Sequence, residues 1–220
     1  GALTNPQGVV TNLPDLSGFD HDANVVSGDP RTIAGPNGRT VLHFDGDDYL
    51  HTTYSFTPAS FTIFSVARIV NLGIRERVIS SPDGNWLFGF WDGFDERFYA
   101  DGWLHQSGSR NTQWHIHAGA INGSRLGSFW KDGGALAVNR VGAGVAYQPH
   151  RLGMGGWRAG GEMSQCEVAE VIIYDRVLTD AERREVGSYL AEKYAIASRD
   201  QLPNYLQPGT VWTEGYAGVW

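Results

Sequence analysis

Short apolar runs alternate with breaks rich in glycine, proline and aspartate along most of this chain, and a single segment carries a helical period. Residues 113–120 show the two-residue period of a strand with unlike faces, Trp114, Ile116 and Ala118 against His115 and His117. In residues 40–44, Val41 and His43 face one way and Leu42 and Phe44 the other, and residues 49–53 return after the acidic turn Asp45-Gly46-Asp47-Asp48. Residues 61–70 are apolar on both faces, which predicts a central strand covered on two sides. Residues 85–91 and 97–103 read as a hairpin about Asp92-Gly93-Phe94-Asp95. Trp86, Phe88 and Phe90 share one face of its first arm, and Tyr99 and Trp103 one face of its second. Residues 126–131 and 135–139 form another hairpin about Asp132-Gly133-Gly134. Residues 77–80 and 150–153 open further strands, and residues 22–26 read as a short edge strand.

The exception lies between Glu167 and Tyr194. Val168 to Tyr174 is β-branched and apolar, as a core strand should be. Thr179 followed by Glu182 is a capping box, and Val186, Tyr189, Leu190 and Tyr194 make an apolar stripe, so a helix starts there. The two ends differ from the middle. Residues 1–12 form an extended arm without helical period. Residues 198–220 are rich in glycine, proline and aromatics, with Trp212, Tyr216 and Trp220 recurring every four residues. Gly209, Gly215 and Gly218 argue against a helix, so this tail is expected as a docked, strand-like arm. The pattern as a whole predicts an all-β, two-sheet antiparallel jelly-roll sandwich over residues 13–197, with a short C-terminal helix and an arm at each end.

Composition narrows the partners. Of 220 residues, 41% are hydrophobic and 19% charged, enough for a core and too few charges for disorder. The net charge of −7 and the lack of a basic run argue against nucleic acid. No stretch approaches the roughly 20 apolar residues of a membrane span. The chain begins Gly-Ala-Leu, and that start does not read as a signal peptide. Cys166 is the single cysteine, leaves no internal disulfide, and is expected to be a buried, inert thiol.

Four segments occur in the order expected of a laminin-G-like, concanavalin A-like lectin/glucanase domain. They are Pro14-Asp15-Leu16-Ser17-Gly18, residues 38–50 (Gly-Arg-Thr-Val-Leu-His-Phe-Asp-Gly-Asp-Asp-Tyr-Leu), residues 61–67 (Phe-Thr-Ile-Phe-Ser-Val-Ala) and residues 167–194. The chain resembles the bacterial and phage variety, which ends in a strand followed by a short helix. The resemblance covers about residues 13–196 and implies a glycan-binding, adhesion or assembly module, or a polysaccharide-cleaving enzyme.

The residues separate these classes. Retaining glycoside hydrolysis needs two carboxyls about 5–5.5 Å apart. The strand pattern Glu-x-Asp-x-x-Glu of laminarinase-type relatives does not occur. Glu167 and Glu170, three apart, point to opposite faces of a regular strand, and Asp92, Asp95 and Glu96 belong to a turn of solvated carboxylates. A lyase for uronates wants a basic cleft, which this acidic chain does not offer beyond Gln113, His115 and His117. Those two histidines, with His105 or His43, suit a metal, though two histidines on a solvent face read more simply. Asp45, Asp47 and Asp48 offer the hard oxygens of a structural calcium, the candidate cofactor. Trp91, Trp103, Trp157 and Tyr99 are the candidate sugar-stacking rings, while Tyr49 and Trp114 are expected in the core. Trp212, Tyr216 and Trp220 are the candidate assembly anchors, toward a second copy or a neighbouring structural subunit. The expectation is a non-catalytic sandwich for surface recognition or assembly, extracellular or on a virion. A lectin-like module with calcium stands as the alternative, and a hydrolase or lyase as the second.

Overall fold

The structure, a computed structural model, describes residues 2–73, 76–157, 161–200 and 216–220. Two antiparallel sheets pack face to face. The nine-stranded sheet runs, in spatial order, β1 (Leu3–Thr4), β2 (Val10–Leu13), β3 (Ala23–Ser27), β6 (Tyr49–Thr52), β15 (Gly153–Met154), β8 (Arg77–Ser80), β9 (Trp86–Trp91), β10 (Phe94–Ala100) and β11 (Trp103–Gln106). The other runs β14 (Gly134–Val141), β13 (Leu126–Lys131), β12 (His115–Ile121), β7 (Phe61–Ile69), β18 (Gln165–Tyr174), β5 (Thr40–Asp45) and β4 (Arg31–Ala34). An eighth strand, β19 (Tyr216–Val219), pairs with the second half of β18, where β5 has left it. The two-stranded hairpin β16 (Gly156–Trp157) and β17 (Glu162–Met163) stands apart from both.

The core between the sheets follows the alternation. Trp86, Phe88 and Phe90 of β9, Phe98 of β10, and Leu42 and Phe44 of β5 all point into it. Every residue of β7 but Arg68 is buried, because β12 and β18 flank it and helix α1 (Asp180–Tyr194) covers the sheet behind it. The helix begins at the predicted box: Thr179 accepts from the Glu182 N–H and Glu182 accepts from the Thr179 N–H. Val186, Leu190, Ala191 and Tyr194 lie on Phe64, Val66, Ile116, Ile172 and Tyr174, a second and smaller core. Cys166 is fully buried, and burial pushes its thiol above the ordinary value.

Several expectations change. Residues 22–26 do not form an edge, since β3 pairs with both β2 and β6. The arm expected over residues 1–12 supplies β1 and most of β2, and Val10 is wholly buried in the core. The hairpin expected over residues 85–103 is three strands, with turns at Asp92-Gly93 and Asp101-Gly102. His115 and His117 do not face solvent: they are 8% and 0% exposed and point between the sheets. Trp114 is only half-buried, under the Arg68 guanidinium, whereas Tyr49 is buried as expected. A bulge between Val168 and Glu170 slips the phase of β18 by one residue. Glu167 and Glu170 therefore share the helix side, Glu167 held by Arg68 and Glu170 by Lys193 and Tyr194.

The C-terminus closes the sandwich on itself. Trp220 exchanges backbone hydrogen bonds with Val171 at 2.6 and 2.8 Å. Val219 accepts from the Leu16 N–H and donates to Asp15 Oδ1, tying the end of the chain to residues 15–16. The Trp220 ring is 6% exposed and meets Phe56 edge-on at 5.7 Å. This ring, expected as an assembly anchor, is a core side chain. Trp212 lies outside the described residues, as does the side chain of Tyr216.

Candidate binding face

Helix α1 covers the outer face of the sheet that holds β7, β12 and β18. On the outer face of the nine-stranded sheet, the alternation that sends Trp86, Phe88 and Phe90 inward sends Trp91 outward. Tyr99 of β10, outward by alternation after the core residue Phe98, pairs with Trp103 of β11, where an extra residue in β11 brings Trp103 to the same side. Their rings meet edge-on at 5.1 Å, and Trp103 lies 5.7 Å from Trp91. Arg77 of β8 stands opposite Trp91 across the ladder. The β16–β17 hairpin folds over these residues and brings Trp157 to 3.9 Å above the Arg77 guanidinium. Trp91, Tyr99, Trp103 and Trp157, each expected to stack on sugar, are all half-buried and gathered here.

Polar contacts fix the assembly. Arg77 Nε donates to Glu162 Oε2, Arg77 Nη1 donates to the Trp86 carbonyl at 3.3 Å, and Trp91 Nε1 donates to the same Glu162 oxygen at 3.2 Å. Burial lowers the pKa of Arg77, with Glu162 pulling it back. The hairpin is anchored by the Ser80 hydroxyl on the Gly156 carbonyl and by the Gly155 N–H on the Val78 carbonyl. Gly155 must be glycine: its φ is 88°, and a Cβ would sit 2.2 Å from Phe44. Arg77 and Glu162 were not among the residues singled out by sequence. Their only mark is a charge beside an apolar run and a lone acid in a glycine-rich loop.

The acidic turn takes a different shape from the expected one. Oxygens of Asp29, Asp47 and Asp48 lie within 4.8 Å of one another, with Asp29 in the place expected for Asp45. Asp48 is buried, and its two oxygens already accept from the backbone N–H groups of Asp29 (2.6 Å) and Asp45 (2.9 Å). Burial raises its pKa against those bonds, and Asp45 raises that of Asp47 through a hydrogen bond and its charge. Asp48 thus has a structural task of its own, while Asp29 and Asp47 are exposed.

Four further polar side chains are buried. Asp95 is not a solvated turn residue: it is fully buried and accepts from Ser109 N (2.8 Å), Asn111 Nδ2 (2.7 Å) and Lys131 Nζ (3.0 Å). Burial opposes its charge, and these donors outweigh burial and hold it below the usual carboxylate range. His115 sits in the same network on Asp132 (2.7 Å), whereas neither ring nitrogen of His117 has a hydrogen-bond partner among the described residues, and burial pulls His117 down to about 3. Neither histidine joins a three-ligand metal group among the described residues. Glu76, at 0% exposure, accepts from Ser164 and Gln165 through one oxygen, and its other oxygen has no partner among the described residues; burial pushes it up to about 7. Elsewhere, a cavity of about 200 Å³ opens beside the β18 bulge, lined by Val41, Met154, Val168 and Trp220, with Glu170 and Lys193 among its polar lining.

No family model matches the chain, and no curated protein matches it in sequence. Solved structures do match in fold. Botulinum neurotoxin type C, whose cell entry depends on interaction with two ganglioside molecules, aligns at a TM-score of 0.57 and 13% identity, over 84% of this chain and 51% of that one. The binding domain of botulinum neurotoxin DC in complex with rat synaptotagmin II aligns at 0.58 and 13%, over 84% and 52%. A mutant of Trypanosoma rangeli sialidase displaying trans-sialidase activity aligns at 0.51 and 17%, over 88% and 34%. The chain thus spans about half the length of the toxin chains it resembles. At these identities the likeness shows the fold, a two-sheet β-sandwich. No helix among the described residues is long and apolar enough to cross a membrane.

Proposed function

We propose that the outer face of the nine-stranded sheet binds carbohydrate and that the protein is a non-catalytic surface-recognition module acting outside the cell. One observation carries this reading: Trp91, Tyr99, Trp103 and Trp157 surround the Arg77–Glu162 pair on a face that no helix among the described residues covers. Aromatic faces with fixed polar groups between them suit the amphipathic faces of sugars. The gangliosides named for the type C neurotoxin support carbohydrate as the class of ligand, not its charge, by analogy of fold, and the synaptotagmin complex keeps a protein partner as the competing occupant. The assembly reading loses its best anchor, because Trp220 is buried in its own sandwich.

A glycan array followed by titration of the tightest hit tests the proposal. Trp103→Ala is expected to weaken binding at least tenfold with a melting temperature within a few degrees of wild type, since the ring is half-buried. Binding untouched by Trp91→Ala, Trp103→Ala and Trp157→Ala alike would refute this face as the site.

A further inference from the structure

Resting on the carbohydrate reading, we infer that this face selects uncharged glycans and that Glu162 is its specificity-determining residue. The cations described on the face are already engaged. Arg110, half exposed over the Phe94 ring, lies 4.0 Å from Asp92 and donates to the Leu72 carbonyl. Arg77 is held by Glu162 and the Trp86 carbonyl and capped by the Trp157 ring, so its guanidinium has no open side for a ligand carboxylate. Arg97 is 7% exposed, lies 4.4 Å from the Phe94 ring and donates to the Ser107 carbonyl. Arg151 is paired with Asp83. Glu162 takes the Arg77 and Trp91 bonds on one oxygen, Oε2, and its other oxygen has no protein partner among the described residues. That oxygen can accept from a sugar hydroxyl and repels a sugar carboxylate. The net charge of −7 adds repulsion at long range.

The test is an array of paired oligosaccharides, each neutral core beside the same core capped with a sialic or uronic acid. Wild type, Glu162→Gln and Glu162→Asp are compared on it, then titrated with the tightest pair. Wild type is expected to hold the neutral member at least tenfold more tightly. Glu162→Gln removes the repelling charge and should shrink that ratio at least fivefold, while Glu162→Asp keeps it. Should Glu162→Gln fail to fold, salt decides on wild type: raising ionic strength from about 0.05 to 0.5 M shortens the screening length and should strengthen the acidic member selectively. Equal or tighter wild-type binding of acidic members, or a ratio unmoved in Glu162→Gln, overturns the role of Glu162 and leaves the carbohydrate face standing. Binding to no member of the array overturns both.

Discussion

Trp220→Ala separates a core tail from an assembly tail. The ring is 6% exposed and belongs to the main core, against Phe56 at 5.7 Å. Burying a tryptophan removes about 150–250 Å² from water, which at about 25 cal/mol per Å² is about 4–6 kcal/mol. Truncating large core rings costs about 3–5 kcal/mol in practice, because neighbours relax partly into the gap. Relaxation should be poor here, since the ring already borders a cavity of about 200 Å³ that the truncation would enlarge. About 4 kcal/mol corresponds, for a chain of this size, to a fall of about 8–16 °C in melting temperature. Thermal unfolding followed by far-ultraviolet circular dichroism reads the fall, and light scattering reads the mass in parallel. Gly218→Ala should act in the same direction, because its Cβ would meet the Trp220 ring at 2.0 Å. A melting temperature within about 3 °C of wild type, joined to a drop in mass, would mean that the ring serves another subunit after all.

Other perturbations probe the buried charges. Glu76 has an ordinary value of 4.5 raised to about 7, so its stabilising contribution is complete below pH 4.5 and is lost as pH rises to 7. Glu76→Gln should therefore be more stable than wild type at pH 8, by at most about 3 kcal/mol, and nearly equal to it at pH 4; a pH-independent difference refutes this. His117 runs the other way, its ordinary 6.5 lowered to about 3, so its contribution is present above pH 6.5 and is lost as pH falls toward 3. In Glu76→Gln, urea midpoints should accordingly decline steadily from pH 6.5 downward, whereas in wild type the two trends oppose between pH 4.5 and 6.5. Asp95→Ala removes the acceptor of the Ser109 N–H and leaves Lys131 to Glu96 and Asn111 to the Ser109 hydroxyl, and should cost about 1–3 kcal/mol by chemical denaturation; a cost below about 0.5 kcal/mol would show that water replaces the carboxylate. Asp48→Ala leaves two backbone N–H groups without their acceptor and should cost about 2–4 kcal/mol, with or without added calcium. A calcium-dependent melting curve in wild type would show that an ion shares the work.

The strands and their faces were legible wherever the ladder is regular. Phe88 and Phe90 fall in the core as their alternation requires, and the Thr179–Glu182 box starts the helix where it stands in the sequence. Legibility ended at the bulges. An extra residue in a ladder has no compositional mark, yet it reverses the face of everything beyond it. Glu167 and Glu170 were set on opposite faces for that reason, and Asp95 lies within a register shift between Phe94 and Arg97. His115 and His117 were read outward because they are polar, but Asp132, only two residues past the Trp130 that pairs with Ala118, supplies a half-buried partner for the first. Trp220 was read with Trp212 and Tyr216 as a repeat, while its place is set by Val171, a contact between distant parts of the chain.

What singles out the candidate face is where its rings fail to be covered. A two-sheet sandwich has two outer faces, and this chain treats them differently. One receives α1, whose apolar stripe buries Phe64, Ile116 and Tyr174 completely or nearly so. Among the described residues the other receives the small β16–β17 hairpin, and Trp91, Tyr99 and Trp103 beside it and Trp157 within it remain half-buried. A purely architectural outer face would carry polar residues at such positions, because an exposed tryptophan gains nothing from water. Here the rings are instead locked in place by the Glu162 bonds to Arg77 and Trp91 and by the stack of Trp157 on Arg77. Holding partly exposed rings rigid lowers the ordering cost of a ligand that stacks on them. The polar pair beneath them gives that ligand its orientation. Rigidity, exposure and a fixed acceptor occur together at this face, and their coincidence is the physical argument for recognition there.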